Sequence, residues 1–584
     1  MQSILGSQCL IEAETGVFVS VQAVAEMRAD AASPALPGTQ AVIASVGQWW
    51  AAKARLAGLD GPWGDVTYAL SAKPPAAIPG VKPLADVGAS TTAEELGRLY
   101  VESLASAERS REGKHYTPTF LAERLWEMTR ASLGLPRGRN RRLPGLVRDP
   151  ACGAGALLLP PLREHLRATY RDNPAITLRG LGLLIQGIDM DPWSAWLTNV
   201  ILGAEILPTL SRVPEARRSP IPVLAVPGDG LAVVDEKATA TIMNPPYGRL
   251  RLAEDTRADF AHVLFGHANI YGMFMASGAE GTAEDGVLSC LVPTSFTAGR
   301  YFHKLRGHLA ETMPMHSMNF VDGRNGVFNG VLQETCLVTF RRKASRRIKV
   351  TRSNGHVESV AEIPVPKGQG LWLLPRESRD ATLSASAGKM PLTIEKTGWH
   401  ASTGPLVWNR RKTDLHVRPG KNRAMILWGA DIDGGMVHRD PSRDSLRYLE
   451  LNGKSDLSIM VLATPAVLVQ RTTAPEQERR IVAAELCQET LDSFGGRVVI
   501  ENHVNVLRPT TDKPLISRAT LARVLQTNTL DRLMRCISGS VAVSSYEIDS
   551  IPLPNAAVLA SWEDLSGAEL EEAVARAYTP GVKP

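Results

Sequence analysis

The sequence predicts an α/β protein built on a mostly parallel sheet with helices on both faces. Between about residues 93 and 345, short apolar runs alternate with helical stretches, which is the pattern of parallel strands joined by crossover helices. Most of these runs end in turn-forming or acidic residues, and in such sheets ligands bind beyond the carboxyl ends of the strands. The chain of 584 residues is too long for one core, so further domains are expected.

Composition divides the chain into five segments. Residues 1–92 are rich in alanine and carry several proline and glycine breaks, which indicates a mainly helical lead-in, and residues 93–345 carry the sheet. Residues 346–395 are polar and irregular and are interpreted as a linker. Residues 396–560 contain clusters of arginine and lysine without helix–strand alternation, and residues 561–584 are predicted to be a helical tail.

The elements of the sheet segment follow in a regular order. Helices are predicted over TAEELGRLYVESLASAERSR and TPTFLAERLWEMTRASL, the second with Thr117 as N-cap and Pro118 at its first position. The strand-bearing runs are GLVRDPACGAGALLL, LLIQGIDMDP, PVLAVPGDGL, ATATIMNPPY and GVLSCLVPTSF. The last two strands, HSMNFVDG and ETCLVTFRRK, are separated by a short loop and predict an antiparallel hairpin at one edge of the sheet.

Composition and charge narrow the classes of protein. No apolar run is long enough to cross a bilayer, and the first residues do not have the pattern of a secretory signal. The six cysteines are scattered, without a CxxC pair or zinc-ligand spacing, which favours a reducing cytoplasm, and no metal site is expected. The net charge of +5 permits a polyanionic partner without requiring one.

Acidic residues and glycines at three strand ends are candidates for a ligand site. Asp149 precedes a turn in which Gly153 and Gly155 would let the backbone approach a ligand, although close packing alone can also require glycine. Asp189 ends the next strand, where an acid can bind ribose hydroxyl groups. Asp229 ends the third strand and could accept a hydrogen bond from an adenine amino group. Aspartates in ordinary turns are the alternative for both.

The fourth strand end carries Asn244-Pro245-Pro246-Tyr247. The side-chain oxygen of Asn244 and the carbonyl of Pro245 can accept hydrogen bonds from a planar amino group, and Tyr247 offers a stacking face. Two acceptors favour a more tetrahedral nitrogen and stabilise the positive charge that develops when an aromatic amine is alkylated. The end of an edge strand would explain the prolines but not the amide and the ring. The motif therefore predicts methylation of an exocyclic amine.

The segments HYTPTFLAERL, DPACGAGALLL, GIDMDP, PGDGL, IMNPPYG and GVLSCLVPTSF occur in this order. Together they resemble the motif series of S-adenosylmethionine-dependent N6-adenine DNA methyltransferases. The YTP segment before the glycine turn and the long region after the sheet resemble the gamma group of restriction–modification and phage-defence systems. The resemblance is specific over 93–345 and looser over 396–560, which resembles a target-recognition region. It implies a Rossmann-like class I methyltransferase fold with S-adenosylmethionine as cofactor.

The resemblance also implies roles for individual residues. The cofactor-binding residues would be Tyr116, Thr117, Pro118, Asp149, Gly153, Gly155, Asp189, Met190 and Asp229. Asn244, Pro245, Pro246 and Tyr247 would hold the target base. Phe328 would pack on the other face of that base, unless it is a core residue of the predicted hairpin.

Double-stranded DNA is the partner that the resemblance implies. The amino group of adenine is hidden in a duplex, so the nucleotide must be extruded. Candidate phosphate contacts are Arg249, Arg251, Arg410, Arg411 and Lys412, although any single one could be a solvated surface charge. A separate restriction endonuclease or defence-complex subunit could act with the chain.

The sequence leaves other functions open. A protein-glutamine N5 methyltransferase uses the same NPPY motif, but such enzymes are much shorter and lack a large basic C-terminal region. In N4-cytosine methyltransferases the first residue of the motif is usually serine. A non-catalytic DNA-recognition subunit could retain the fold, but the intact Asn244 and glycine turn argue against it. No convincing nuclease motif occurs in the first 110 residues, so DNA cleavage would need a partner protein.

Overall fold

A computed structural model describes residues 10–12, 18–20, 37–105, 115–135, 141–232, 234–321, 334–343, 345–354, 356–473 and 476–579. Phe328 lies outside the described residues, and so do the side chains of Arg249 and Arg251.

The strands before residue 365 form two sheets. In chain order they are β1 (Leu10–Glu12), β2 (Phe18–Ser20), β3 (Val147–Asp149), β4 (Ile185–Asp189), β5 (Ala225–Pro227), β6 (Ala238–Met243), β7 (Arg249–Arg251), β8 (Ala268–Asn269), β9 (Thr282–Pro293), β10 (Met315–Val321), β11 (Thr335–Arg341), β12 (Arg347–Asn354) and β13 (His356–Pro364). The smaller sheet has the order β2-β1-β7-β8. The larger sheet has the order β13-β12-β10-β11-β9-β6-β3-β4-β5.

The larger sheet contains the parallel strands that the sequence predicts. Strands β5, β4, β3, β6 and β9 are parallel, whereas β11 runs antiparallel to both of its neighbours, β9 and β10. The strand order reverses at β3, which lies between β4 and β6, and ligands bind at such a reversal. The Rossmann-like class I methyltransferase fold expected from the sequence is therefore confirmed.

Helices join the strands of the larger sheet and pack on its faces. In chain order they are α1 (Pro37–Leu56), α2 (Val66–Ala69), α3 (Ala93–Ser103), α4 (Thr119–Ser132), α5 (Leu159–Ala168), α6 (Pro174–Gly180), α7 (Pro192–Ser211), α8 (Glu254–Asp259), α9 (Ile270–Gly281) and α10 (His303–Thr312). Helix α4 begins at Thr119 with Pro118 in the N-cap position, so the prediction of Thr117 as N-cap is wrong. The hydroxyl of Thr117 instead accepts a hydrogen bond from Asn244.

Residues 37–92 share the apolar core of the sheet. Trp49 and Trp50 of α1 are completely buried, and the indole nitrogen of Trp50 donates to the carbonyl of Trp63 at 3.0 Å. In α7, a Cβ added to Gly203 would lie 3.0 Å from the Trp50 ring, so glycine permits the two helices to approach closely. Helix α1 fits the helical lead-in that the sequence predicts, whereas residues 10–12 and 18–20 are strands.

Two features near residue 345 differ from the sequence prediction. The linker interpretation is wrong for β12 and β13, which pair with each other, and β12 also pairs in parallel with β10. Ile348 and Val350 are buried in alternation with polar neighbours, and this period of two is the strand signal that the interpretation overlooked. The predicted antiparallel pair β10–β11 is present, but it lies inside the sheet because β12 and β13 form the edge.

The rest of the chain contains short strands and helices. The strands are β14 (Leu392–Thr393), β15 (Trp399–Thr403), β16 (Leu415–His416), β17 (Arg423–Leu427), β18 (Ile432–Asp433), β19 (Met436–Val437), β20 (Tyr448–Glu450), β21 (Val461–Leu462), β22 (Ala466–Gln470), β23 (Ala483–Leu486), β24 (Val498–Ile500), β25 (Val504–Pro509) and β26 (Pro552–Leu553). The helices are α11 (Ala381–Ala387), α12 (Gly453–Ile459), α13 (Gln488–Ser493), α14 (Arg518–Leu525), α15 (Asn528–Ile537), α16 (Ser545–Asp549), α17 (Ala556–Ala560) and α18 (Gly567–Ala577), the last lying in the predicted helical tail.

Two small sheets organise this C-terminal part, with the orders β15-β25-β22-β23 and β16-β20-β17-β24-β21. It contacts the larger sheet region through buried polar groups. Arg306 of α10 is completely buried and donates to the carbonyls of Phe296 and Gly299, each at 2.9 Å, and to the Tyr546 hydroxyl at 3.3 Å. Among the described residues, no helix is long and apolar enough to cross a membrane.

Candidate active site

The strands β3 to β6 bring most of the predicted site residues to one edge of the larger sheet. The backbone N–H of Gly228, in the turn after β5, donates to the carbonyl of Asp189 at 2.9 Å. A Cβ at Gly230 would overlap the carbonyl of Pro150, so only glycine lets the turn after β5 lie against the turn after β3. The ends of β3, β4 and β5 therefore form one continuous surface.

The two glycines after β3 have different roles. Both adopt positive φ angles, +50° at Gly153 and +78° at Gly155. A Cβ at Gly155 would approach Thr198 to 3.0 Å, so this glycine allows α7 to pack closely. A Cβ at Gly153 would meet no described atom within 4 Å. The backbone at Gly153 therefore borders open space, and its N–H donates to Asp189 Oδ2 at 2.9 Å.

Asp149 is a buried carboxyl group with few partners. Its side chain is about 1% exposed, and within the described part of the chain it accepts one hydrogen bond, from the backbone N–H of Ala151 at 3.0 Å. Burial, reinforced by the negative charge of Asp189, raises the pKa of Asp149 to about 8. An arriving cationic group would favour the ionised carboxylate, so this position suits an ammonium ligand.

The acids at the ends of β4 and β5 are more accessible. Asp189 Oδ1 accepts a hydrogen bond from the backbone N–H of Asp191 at 2.8 Å, and its other oxygen accepts from Gly153. The next residue, Met190, is 42% exposed and offers an apolar surface at the end of β4. Asp229 is exposed and accepts from the backbone N–H of Leu231 at 2.9 Å. An aspartate in an ordinary turn, the alternative interpretation of Asp229, makes the same hydrogen bond.

The carboxamide of Asn244 is held at both ends. Its Nδ2 donates to Thr117 Oγ1 at 3.0 Å, and its Oδ1 accepts from the Tyr247 hydroxyl at 2.8 Å. The Tyr247 hydroxyl also lies 3.1 Å from the carbonyl of Leu291 on β9. Because an amide oxygen has two lone pairs, Asn244 Oδ1 retains acceptor capacity in a fixed orientation.

Tyr247 is anchored by its hydroxyl and by its ring. Burial holds the pKa of this hydroxyl well above its ordinary value of 10, so the group stays a neutral donor. The ring meets Tyr271 in an edge-to-face contact, with 6.1 Å between centroids and 80° between planes. The hydroxyl of Tyr271 is hydrogen-bonded to Ser295 Oγ at 2.7 Å. Tyr271 was not predicted from the sequence, because no motif links a residue in α9 to the NPPY segment.

The YTP segment connects the two halves of the candidate site. Thr117 is buried and contacts Asn244, as described above. Tyr116 packs against α3, where a Cβ at Gly97 would lie 2.9 Å from the Tyr116 ring and 3.2 Å from Ala154 in the glycine turn. The segment therefore lies between the turn after β3 and the end of β6, where a ligand that spans both would contact it.

The basic candidates of the C-terminal part differ in their surroundings. Arg410 and Lys412 are exposed, and the ammonium of Lys412 lies 5.8 Å from the centre of the Trp408 ring. Arg411 forms ion pairs with Asp414 and, at 2.8 Å, with Asp456. Its guanidinium is therefore used within the chain, which makes Arg411 the weakest phosphate-binding candidate of the three.

The residues at the strand ends fit S-adenosylmethionine, the cofactor expected for this fold. The buried carboxyl group of Asp149 has no cationic partner among the described residues and suits an α-ammonium group, and the open space at Gly153 lets a ligand approach the backbone there. Asp189 and the exposed Met190 offer an acceptor and an apolar face for a nucleoside. All of these residues lie in the described part of the chain.

Comparisons with known proteins identify related methyltransferases. No protein-family model matches the sequence. The chain is 24% identical over 345 residues to the type II methyltransferase M.BsuBI of Bacillus subtilis, which is 57% of this chain and 68% of that protein. It is 23% identical over 335 residues to the type II methyltransferase M.PstI of Providencia stuartii, which is 54% of this chain and 65% of that protein. Among solved structures it is similar to the type IIL restriction–modification enzyme MmeI in complex with DNA, with a TM-score of 0.49 and 13% identity over 84% of this chain and 78% of that chain.

Proposed function

We propose that this chain is a site-specific DNA methyltransferase of a restriction–modification or phage-defence system. It transfers a methyl group from S-adenosylmethionine to the N6 amino group of an adenine extruded from double-stranded DNA. The similarity to two type II methyltransferases supports the class of enzyme. The observation that carries the choice of an exocyclic amine is the fixed carboxamide of Asn244 at the end of β6.

The cofactor-binding half of the site uses the ends of β3, β4 and β5. Asp149 would pair with the ammonium group of the cofactor, and the backbone at Gly153 and the YTP segment would lie along its methionine part. Asp189 would accept from the ribose hydroxyls, Met190 would cover the adenine ring, and Asp229 would accept from the adenine amino group. When bound, S-adenosylmethionine supplies an electrophilic methyl group on a sulfonium.

The residues of the NPPY motif prepare the target amine for attack. Asn244 Oδ1 and the Pro245 carbonyl would accept the two N–H bonds of the amine. The nitrogen lone pair would form the bond to the methyl carbon while the carbon–sulfur bond breaks and its electron pair stays on the sulfur. Positive charge would develop on the nitrogen, and these fixed acceptors would stabilise it. The alkylated nitrogen then releases a proton to solvent, so no strong base is required. Tyr247 orients Asn244 Oδ1 by donating to it.

The ring of Tyr247 would stack on the extruded base, in addition to the orienting role of its hydroxyl. Stacking of a base on an aromatic side chain contributes about 1–3 kcal/mol, which offsets part of the cost of unstacking. We propose that Phe328 covers the opposite face of the base. Arg249, Arg251, Arg410 and Lys412 would contact DNA phosphates, and the C-terminal part would read the sequence.

The decisive experiment replaces Asn244 and measures single-turnover methylation of DNA. Asn244→Ala removes one preorganised acceptor, which should cost roughly 3 kcal/mol, a factor of about 10²–10³ in rate, while binding of cofactor and DNA persists. Asn244→Asp retains an acceptor and should keep partial activity. Thr351→Val is a matched control, because Thr351 is a buried hydrogen-bonded residue remote in sequence from the motif.

The product distinguishes this proposal from its alternatives. Digestion of the methylated DNA should release N6-methyladenine. Release of N4-methylcytosine, or transfer of the methyl group to a protein glutamine, would replace the substrate assignment while retaining the role of Asn244. A wild-type rate in Asn244→Ala would contradict the amine-holding mechanism itself.

A further inference from the structure

Three potential metal ligands from three different elements meet on the outer side of the sheet region. His262 lies just after α8, Glu280 lies near the end of α9, and His308 lies in α10. One ligand atom from each of the three side chains lies within 4.8 Å of the other two. They are distant in sequence and follow no metal-binding spacing, so no metal site was expected from the sequence.

The distances suit coordination of one ion. His262 Nε2 and Glu280 Oε1 are 3.2 Å apart. In a tetrahedral zinc site with bonds of about 2.0–2.1 Å, neighbouring ligand atoms are about 3.3 Å apart. The rings of His262 and His308 are 5.0 Å apart between centroids and inclined by 67°. A small movement of exposed side chains would therefore complete a three-ligand site.

The burial pattern also suits a metal. His308 Nε2 is buried and has no hydrogen-bond partner among the described residues, which is uncommon for a buried polar atom. The side chains of His262 and Glu280 are 42% and 53% exposed, so water can reach the open side of the cluster. The nearby Arg342 is paired with Glu284 at 3.6 Å, so part of its positive charge is neutralised.

We propose that His262, Glu280 and His308 bind one Zn²⁺ ion, with water completing its coordination. Two imidazoles and one carboxylate form a ligand set that zinc accepts. The site is separate from the strand ends where methyl transfer is proposed, and the inference does not depend on that function.

The position of His262 indicates a structural role for the ion. His262 belongs to the segment 249–269, which directly follows the NPPY motif. The two ends of this segment lie close together, because the N–H of Ile270 donates to the carbonyl of Gly248 at 3.1 Å. In the described structure, Lys304 of α10 donates to the carbonyl of Ala261 at 2.9 Å. The ion would strengthen the existing contacts between this segment and helices α9 and α10.

The test is titration of the metal-stripped full-length protein with Zn²⁺ and with Co²⁺ as a spectroscopic substitute. We expect one ion per chain and the visible absorption of four- or five-coordinate Co²⁺. His262→Ala and His308→Gln should each weaken binding by at least about 10–100-fold, since even loss of an outer-sphere partner has that effect. His267→Ala, an exposed histidine in the same segment, should bind as the wild type does.

A second measurement follows the segment itself. Zn²⁺ should slow amide hydrogen exchange in residues 252–266 of the wild type but not of His262→Ala, whose substituted side chain is exposed and not required for folding. Absence of binding at one equivalent of Zn²⁺ would overturn the proposal. Equal affinity in the wild type and in both substituted proteins would overturn it as well, because it would locate the ion elsewhere.

Discussion

Asn244 receives its orientation from Thr117, which is distant in the chain, and from Tyr247, which follows three residues later and contacts strand β9. Thr117 accepts from its amide nitrogen, and Tyr247 donates to its oxygen while lying 3.1 Å from the carbonyl of Leu291. The sequence alone assigns Tyr247 only a stacking face, for which the hydroxyl would be dispensable. The structure adds an orienting role, because the hydroxyl holds the acceptor that the reaction uses.

Tyr247→Phe tests this orienting role. The variant keeps the aromatic face but loses one buried hydrogen bond, worth about 0.5–1.5 kcal/mol. We expect kcat to fall by about three- to tenfold with little change in the KM for DNA, whereas Tyr247→Ala should mainly raise that KM. Steady-state and single-turnover kinetics separate the two effects. An unchanged kcat in Tyr247→Phe would leave the ring as the only contribution of this residue.

Thr117 provides a matched pair of substitutions at the other end of the carboxamide. Thr117→Val removes the hydroxyl that accepts from Asn244 Nδ2 and preserves the shape, whereas Thr117→Ser retains the hydroxyl. The valine variant should lose kcat by a factor similar to that of Tyr247→Phe, and the serine variant should stay near the wild type. Equal rates in the two variants would show that this hydrogen bond does not orient Asn244.

Asp149 should make cofactor binding depend on pH. Burial raises its pKa from the ordinary 3.8 to about 8, so the carboxyl of the free protein is protonated at neutral pH. The folded state holds this proton more tightly than the unfolded state. The free energy of unfolding therefore decreases through this group as the pH rises from about 4 to about 8. An ammonium ligand favours the ionised form, so binding should release a proton below about pH 8 and strengthen as the pH rises towards that value.

Calorimetry in buffers of different ionisation enthalpy measures this proton release directly. Asp149→Asn should bind S-adenosylmethionine more weakly and should not release the proton. The free cofactor is the same in both titrations, so the difference between the two proteins reports the contribution of Asp149. Proton release of equal size in the two proteins would assign it to another group.

At the scale of elements, a buried ion pair joins the larger sheet to the C-terminal helices. Arg376 pairs with Glu334, at the start of β11, at 2.7 Å, and its guanidinium also donates to the carbonyl of Arg535 in α15 at 2.6 Å. The same guanidinium lies 4.5 Å from the centre of the Phe320 ring on β10. The consecutive strands β10 and β11 and the distant helix α15 therefore converge on one charged side chain.

Arg376→Ala should destabilise the protein strongly, because it removes the guanidinium that pairs with the mostly buried carboxylate of Glu334. Loss of one member of a buried pair costs about 3–5 kcal/mol. Arg98→Ala is the control, since its pair with Glu102 at 2.8 Å is about half exposed and should contribute about 0–1 kcal/mol. Denaturant unfolding of both variants measures the two costs. A similar cost for both would show that the Glu334–Arg376 pair does not join the elements as described.

At the scale of the whole molecule, the basic residues of the C-terminal part should make the affinity for DNA depend on salt concentration. Each phosphate contact contributes about one to the slope of log K against log salt concentration. Arg410→Ala and Lys412→Ala should each reduce this slope by about one. Arg411→Ala should leave the slope unchanged and lower stability, because Asp414 and Asp456 occupy its guanidinium. Binding measured over a salt series would contradict this assignment if Arg411→Ala had the largest effect on the slope.

The sequence by itself determined which chemical groups stand at the ends of the strands and in which order they occur along the chain. Asp149, Asp189, Asp229 and Asn244 each follow an apolar run, and both the period of the runs and the turn residues are local properties that a sequence displays. The fold class followed from the same alternation. The sequence was less informative at β12 and β13, where the apolar and polar residues alternate over a short and mostly polar stretch.

Only the tertiary structure decided which groups face one another. The raised pKa of Asp149 arises from burial by residues that are distant in the chain. The hydrogen bond between Thr117 and Asn244 joins two segments that are separated in the sequence by strands β3 to β5. It also showed that Arg411 is already paired and that His262, Glu280 and His308 meet. Such contacts depend on how the elements pack, and neither motif spacing nor hydrophobic period contains that information.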